Sequence, residues 1–180
     1  LTFTSEYGNT STVTYQIYQG DSFEVPVQNS YVYDDGTQTM QTTYTFNGYG
    51  VSSTIMPNSD VTYNASWTVT NKYYYTITFD ILDDDVSLPS SPWKDNAKLY
   101  YNGVETTQMS YKFLEGDVDL SAFVARCKYT TGDWIFKVYW YYIFQGWKGA
   151  ENNIYHLTGD VTIEASFSSL QSGESGYNQN

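Results

Sequence analysis

The chain has 180 residues, a length that suits one domain or two small ones. Apolar residues make up 41% of it, which is enough to form a core. It contains 20 Tyr, 9 Phe and 5 Trp but only 8 Lys and Arg, and its formal net charge is −12. Nucleic acids and anionic membranes need a basic surface, so this balance argues against both as partners, and no apolar run is long enough to cross a membrane.

The first part of the chain alternates apolar and polar side chains in short runs, which is the pattern of half-buried strands. Strands are predicted at residues 1–4, 13–18, 23–27 and 61–69, with a hairpin around an Asp-Asp-Gly turn at residues 31–37. Pro26 places the third strand at an edge or an end of a sheet, because proline cannot donate a ladder hydrogen bond. No stretch of this part has helical periodicity.

A second set of strands is predicted after a short junction at residues 70–72, and it begins with residues 73–81. Residues 116–124 fit either a strand or a short helix. Residues 134–144 are apolar or aromatic on both faces, which is typical of a covered central strand. The Ser-, Gly-, Asn- and Gln-rich residues 170–180 predict a disordered tail or linker.

One pattern of residues occurs twice, at 44–67 and at 142–167. Both copies read Y-x-F-x-G-aromatic, then a loop, then D-V-T-x-x-A-S-aromatic. A pattern of this length predicts a duplicated unit, because each repeat is one supersecondary structure that is copied as a whole. We therefore predict two tandem domains, at residues 1–69 and 73–169.

The spacing of equivalent residues locates an insertion in the second copy. Phe3 and Phe79 are separated by 76 residues, whereas Gly20 and Gly116 are separated by 96. The second copy therefore carries 20 additional residues between these points, at about residues 83–104.

The fold class predicted from these patterns is mostly β: two tandem small β-sheet domains, the second with an inserted loop or hairpin. Gly48 and Gly146 are expected where a bend or a close backbone approach excludes a side chain. The alternating apolar residues of the repeat are expected in the two cores: Tyr44, Phe46, Tyr49, Val61, Tyr63, Ala65 and Trp67 in the first, and Tyr142, Phe144, Trp147, Val161, Ile163, Ala165 and Phe167 in the second.

The repeated pattern resembles the Listeria–Bacteroides repeat. The resemblance covers both predicted domains, and the departures from it are the insertion and Tyr49, where the family usually has Trp. It implies β-grasp-like domains of secreted or wall-attached proteins of Gram-positive and gut bacteria. It also implies a non-catalytic role, and it supplies no catalytic residues for this chain.

Side chains for catalytic and metal sites are scarce. The chain has one cysteine, Cys127, and one histidine, His156, which excludes an intrachain disulfide and a Cys/His metal cluster. The acidic residues 83–85 could hold calcium, but they lack EF-hand spacing, and we predict no metal and no cofactor. No pair of carboxylates stands out for glycoside hydrolysis, so the protein is predicted not to be an enzyme.

Candidate binding residues are sought where the second copy departs from the first. Trp93 lies in a proline-containing polar loop of the insertion, where its flat ring could stack on a sugar while polar neighbours bind hydroxyls. The alternative is that Trp93 closes one end of the second core. The predicted ligand-binding residues are Trp93, Lys94, Asp95, Tyr100, Tyr101, Trp134 and Trp147.

The function predicted from the sequence is that of a non-catalytic extracellular module of a bacterial surface or secreted protein. Exposed aromatic residues are expected to recognise a polysaccharide. The alternative is a structural stalk or adhesin repeat that spaces other domains or mediates protein contacts at the cell surface. We expect a monomeric module of a larger protein, secreted or associated with the cell wall, with no nucleic-acid partner and no membrane insertion.

Overall fold

The computed structural model describes residues 1–9, 11–86, 97–131, 135–136 and 138–171. Within these ranges it contains fourteen β-strands and no helix, which confirms the predicted mostly β class. The described residues accordingly include no helix that could span a membrane. The chain divides into two compact units, Leu1–Tyr73 and Tyr74–Asn180.

The strands are β1 (Thr2–Thr4), β2 (Thr12–Thr14), β3 (Tyr31–Asp34), β4 (Met40–Gly48), β5 (Thr62–Asn64), β6 (Ser66–Asp80), β7 (Ala97–Tyr101), β8 (Val104–Thr106), β9 (Ser110–Leu114), β10 (Gly116–Asp119), β11 (Phe123–Thr131), β12 (Val138–Trp147), β13 (Ile154–Leu157) and β14 (Val161–Gln171). Strand β6 contributes its residues up to Tyr73 to the first unit and those from Tyr74 to the second.

The first unit contains two small sheets. In one, β1 lies between β2, to which it is antiparallel, and β5, to which it is parallel. In the other, β4 lies between β3 and the first part of β6, with both pairings antiparallel. Phe3 lies in the core, where the centre of its ring is 4.9 Å from that of Tyr49. The buried residues of this core are Leu1, Phe3, Phe23, Tyr49 and Met56.

The second unit is built on a larger sheet. Its strand order is β9, the second part of β6, β14, β12, β11, β7 and β8. All neighbours in it are antiparallel except β6 and β14, which are parallel. Strands β10 and β13 form a separate antiparallel pair. The core of this unit includes Ile77, Phe79, Leu99, Leu120, Phe123, Ala125, Trp147, Leu157, Ile163 and Phe167.

Each unit pairs its first strand in parallel with the strand that carries the second half of the sequence repeat. In the first unit, Phe3 of β1 is the parallel partner of Tyr63 of β5. In the second unit, Phe79 of β6 is the parallel partner of Ile163 of β14. The spacing of the sequence repeat therefore relates residues that have equivalent partners in the two units.

Both units also contain a β-bulge at the same point of the repeat. The register shifts between Phe46 and Gly48 in the first unit, and between Phe144 and Gly146 in the second. The two glycines have positive φ angles of 105° and 136°. A Cβ atom at either position would meet no atom within 4 Å, so the backbone conformation of the bend, and not a close approach, favours glycine here.

Two of the predicted strands of the first unit differ from the observed ones. Residues 23–27 form no strand, and only the preceding Ser22 makes an isolated bridge, with Ile55. The strand predicted at 13–18 ends at Thr14. In both segments the alternating apolar residues pack into the core, where Phe23 is buried. Neither segment has a continuous partner strand.

Residues 70–72, which were expected to form a junction, instead lie inside β6 and pair with residues 41–43 of β4. The strand pattern continues across residues 70–72, so the sequence shows no boundary between two strands there. Residues 116–124 form β10, a turn and the start of β11, which resolves the choice between strand and helix in favour of strand.

The insertion of the second unit includes a hairpin. Strands β7 and β8 are joined by Asn102 and Gly103, whose φ angles of 50° and 78° are those of a tight hairpin turn. Residues 87–96 of the insertion lie outside the described residues. At the end of the chain, residues 170 and 171 belong to β14, and the rest of the predicted tail lies outside the described residues.

Candidate functional site

Three of the seven predicted binding residues are described by the structure. Trp93, Lys94, Asp95 and Trp134 lie outside the described residues. Tyr100, Tyr101 and Trp147 belong to β7 and β12, and the structure does not bring them together on one surface.

Trp147 is a core residue and does not offer the ring face that was expected to bind a ligand. It is only 3% exposed, and the centre of its ring lies 4.7 Å from that of Phe79 and 5.2 Å from that of Phe144. Its indole N–H donates to the carbonyl oxygen of Phe123 at 3.0 Å. Because both the ring and its polar atom are satisfied inside the unit, Trp147 stabilises the core, as the rest of the repeat predicts.

Tyr100 and Tyr101 point to opposite faces of β7, as neighbours in a strand must. Tyr101 lies at the border of the core, where its ring stacks on that of Phe123 at 4.7 Å. Tyr100 lies on the other face, where the guanidinium of Arg126 is 4.5 Å from the centre of its ring. These two tyrosines therefore cannot line a single binding surface.

A larger aromatic surface lies in the first unit, on one face of the sheet formed by β3, β4 and β6. We call it the tyrosine face. Its members share one side of the three strands by alternation and register, and they are Tyr31, Tyr33, Met40, Thr42, Tyr44, Trp67, Val69, Asn71 and Tyr73. The opposite side of the same strands carries mainly threonine, with Thr43, Thr45, Thr68 and Thr70.

The tyrosine face consists of parallel rows of side chains that run across the strands. One row is Tyr31, Tyr44 and Val69, the next is Tyr33, Thr42 and Asn71, and the last is Met40 and Tyr73. Neighbouring rows lie about 7 Å apart, two residues along each strand. The middle row therefore combines one aromatic ring, Tyr33, with two polar side chains, of which Thr42 is buried and Asn71 is exposed.

Each row of the tyrosine face has side chains that are open to solvent. Tyr33 in the middle row is 57% exposed, and Tyr73 and Val69 in the other two rows are each 45% exposed. Tyr31 and Met40 are also exposed. Single exposed apolar residues are ordinary, but a contiguous exposed patch of large rings marks an interaction surface.

The inner end of the tyrosine face is held rigid by ring packing. The ring of Tyr44 stacks on Tyr31 at 4.7 Å and contacts Tyr7 on its other side at 4.9 Å. Trp67 is half-buried beside them, and its indole N–H donates to the hydroxyl of Ser5 at 3.0 Å. The negative charge of Glu6 raises the pKa of the Tyr7 hydroxyl.

The loop of residues 5–9 is held at this end of the tyrosine face by the buried side-chain amide of Gln28. The side-chain oxygen of Gln28 accepts a hydrogen bond from the backbone N–H of Asn9 at 3.1 Å, and its nitrogen donates to the hydroxyl of Tyr49 at 3.2 Å. Gly8 lies against Gln28 and the ring of Trp67 with a φ of +93°. The rings of the tyrosine face are therefore pre-organised by the core beneath them.

Sequence reasoning missed this surface. Tyr44 and Trp67 were assigned to the core and are half-buried, while Tyr31 and Tyr33 were seen only as parts of a hairpin. The usable signal was the choice of residue: the alternating positions of β3 carry tyrosine where a buried strand carries aliphatic residues. Tyrosine has an apolar ring and a polar hydroxyl, so it suits a surface where the ring packs on the protein while the hydroxyl contacts water.

A charged cluster in the second unit involves the acidic segment that was considered for calcium. The ammonium of Lys148 lies 3.1 Å from Asp83, 2.6 Å from Asp85 and 2.8 Å from Glu164. Asp83 also accepts a hydrogen bond from the backbone N–H of Phe167 at 2.7 Å. One lysine thus already forms ion pairs with all three carboxylates, and the described part of the chain holds no group of three or more His, Cys, Asp or Glu side chains arranged for a metal.

Comparisons with protein-family models, with curated proteins and with solved structures found no match to this chain.

Proposed function

We propose that this protein is a non-catalytic extracellular module of a bacterial surface or secreted protein, and that it recognises a polysaccharide through exposed aromatic side chains. The observation that carries the proposal is the tyrosine face of the first unit, in which the exposed rings of Tyr33 and Tyr73 and the exposed amide of Asn71 share one side of a sheet. We therefore propose a site in the first unit, whereas the residues predicted from the sequence lie in the second.

The apolar face of a sugar ring carries C–H groups, and an aromatic ring of similar size can cover it. Tyr33 and Tyr73 present such rings on either side of the sheet face, in rows about 7 Å apart. Burial of apolar surface contributes about 25 cal/mol per Å² that is removed from water. Tyrosine loses little side-chain entropy on binding, since it has only two χ angles.

Sugar hydroxyls need hydrogen-bond partners once water is displaced. The side chain of Asn71 is exposed on the tyrosine face, in the same row as Tyr33 and next to the row of Tyr73, and it offers both a donor and an acceptor. The hydroxyl groups of Tyr31 and Tyr33 add further partners at the same surface. The combination of flat apolar rings with neutral polar groups matches an uncharged sugar chain.

Membership of the Listeria–Bacteroides repeat family is part of the same proposal. The equivalent parallel pairs of Phe3 and Phe79, and the equivalent bulges at Gly48 and Gly146, support descent of both units from one repeated domain. The family resemblance in turn favours an extracellular location and a role without catalysis.

The test uses the full chain in affinity gels and calorimetry against cellulose, xylan, mannan and mixed-linkage β-glucan. We expect binding to at least one of them, and Tyr33→Ala and Tyr73→Ala should each weaken it about tenfold, or about 1.4 kcal/mol. Tyr18→Ala is the matched control, because Tyr18 is 85% exposed in the same unit but lies outside the tyrosine face. Binding to none of these glycans, or equal binding by all three variants, would overturn the proposal.

A second pair of variants distinguishes a glycan site in the first unit from one in the second. Trp93→Ala and Trp134→Ala test the aromatic residues that the sequence singled out in the second unit. If these variants abolish glycan binding while Tyr33→Ala leaves it unchanged, the polysaccharide site lies in the second unit and the tyrosine face is not its location.

A further inference from the structure

Three of the eight basic residues of this acidic chain share one face of neighbouring strands in the second unit. Lys98 of β7 lies directly opposite Arg126 of β11. Lys128 follows two residues after Arg126 and therefore points to the same side. We call this surface the basic face.

The basic face points away from the core. The residues that alternate with its members are Leu99, Ala125 and Cys127, and all three are buried. Lys98, Arg126 and Lys128 are exposed. The strict alternation of strands β7 and β11 thus separates an apolar inner side from a cationic outer side.

Two tyrosine rings lie under the cations. The guanidinium of Arg126 is 4.5 Å from the centre of the Tyr100 ring, and the ammonium of Lys128 is 5.1 Å from that of Tyr141. Cation–π contacts of this kind hold long side chains along the sheet surface. The charged groups are therefore partly ordered before any ligand binds.

The basic face gathers three cations on a chain whose net charge is −12. Lys98 pairs with Glu105 of β8 at 2.7 Å, but Arg126 forms no ion pair with any residue that the structure describes. The guanidinium of Arg126 therefore has no carboxylate partner among the described residues. Cations gathered on one sheet face, with aromatic rings beside them, match a flat ligand whose negative charges are spaced along it.

We propose that the basic face binds an acidic polysaccharide, through the carboxylate or sulfate groups of its sugars. Arg126 and Lys128 contact the acidic groups, and the edges of Tyr100 and Tyr141 contact the sugar rings. A nucleic acid is a poorer match, because its phosphates are densely spaced, about one charge per 1.7 Å of duplex axis, whereas three cations on one face match a polymer with more widely spaced charges. This site is separate from the tyrosine face, and either can fail without the other.

The test measures binding of the full chain to polygalacturonate and to dextran sulfate by calorimetry or affinity gels. Methyl-esterified polygalacturonate and unmodified dextran serve as their uncharged counterparts. We expect binding to at least one acidic polymer, none to its uncharged counterpart, and an affinity that falls about tenfold or more between about 50 and about 300 mM NaCl, because salt screens exposed charges.

The double variant Arg126→Gln/Lys128→Gln should lose this binding, and Tyr33→Ala should retain it. The matched control is Lys72→Gln/Lys112→Gln, which removes the same charge from exposed positions outside the basic face. Binding to neither acidic polymer, or an equal loss in the two double variants, would overturn the proposal. Tighter binding to an oligothymidine strand or to vesicles containing phosphatidylserine than to either acidic polymer would also overturn it, and would assign the face to that partner.

Discussion

The ammonium of Lys148 lies 3.1 Å from a carboxylate oxygen of Asp83, a side chain of which only 3% is exposed. The same carboxylate accepts hydrogen bonds from the backbone N–H groups of Phe167 and Asp85. A buried charge is tolerated when it is paired and fully hydrogen-bonded. This arrangement ties the start of the insertion to β14, so the cluster is a structural element of the second unit.

Removal of the lysine charge should destabilise the second unit. Lys148→Met keeps most of the side-chain stem but leaves the buried carboxylate of Asp83 without its cation, and we expect a clear fall in the free energy of unfolding, larger than that of an exposed pair. Urea denaturation measures it. Lys98→Met is the control, since its pair with Glu105 is exposed and such pairs contribute about 0–1 kcal/mol. Equal losses in the two variants would contradict the structural role of the cluster.

Asp83 should make the stability of the second unit depend on pH in the acid range. Burial alone raises the pKa of Asp83, but the hydrogen bonds from Phe167 and Lys148 together outweigh it, so the pKa is lowered on folding. Its contribution is therefore complete above the unfolded value of about 3.9 and is lost as pH falls through the folded value. Thermal unfolding between about pH 6 and about pH 2 should show a steeper acid loss for the wild type than for Asp83→Asn. Parallel curves for the two proteins would refute this assignment.

Gly8 should be more sensitive to substitution than another glycine of positive φ in the same unit. A Cβ atom at Gly8 would lie 2.7 Å from the Gln28 side chain and 3.0 Å from the Trp67 ring, whereas at Gly50 it would meet nothing within 4 Å. Both positions pay about 1 kcal/mol for the left-handed backbone, and Gly8→Ala should lose about 2 kcal/mol more through displaced packing. Urea denaturation compares the two, and a similar loss in both would show that the loop yields without cost.

Cys127 should resist alkylation in the folded protein. Burial raises the pKa of its thiol to about 11, and the thiolate is the reactive form. Iodoacetamide at about pH 8 should leave the native protein unmodified by mass spectrometry and should add one adduct after unfolding in urea. Rapid modification of the native protein would indicate that β11 opens readily.

Much of the fold could be predicted from the sequence, because the repeat constrains partners as well as elements. The correspondence of Phe3 with Phe79 follows from spacing, and both residues have the same parallel neighbour position in the structure. Gly48 and Gly146 were expected at a bend, and each lies at a bulge. These features either depend on neighbouring residues or occur twice in the chain, so they can be recognised in a single sequence.

The location of exposed and buried rings was harder to predict. Alternation assigns residues to the two sides of a strand, but it does not say which side is covered, since that depends on elements distant in the chain. Trp147 and Tyr33 illustrate this: each alternates in a strand, yet Trp147 is buried and Tyr33 is open to solvent. The same reason explains why residues 70–72 were taken for a boundary although they continue a strand.

The parallel contact between the first and last strands of the second unit has a mechanical consequence. When the two ends of this unit are pulled apart, β6 and β14 are displaced along their own axes in opposite directions. The hydrogen bonds between them are then loaded in shear and share the force, instead of opening one after another. A surface protein that is anchored at one end and held at the other would gain resistance to extension from this topology alone.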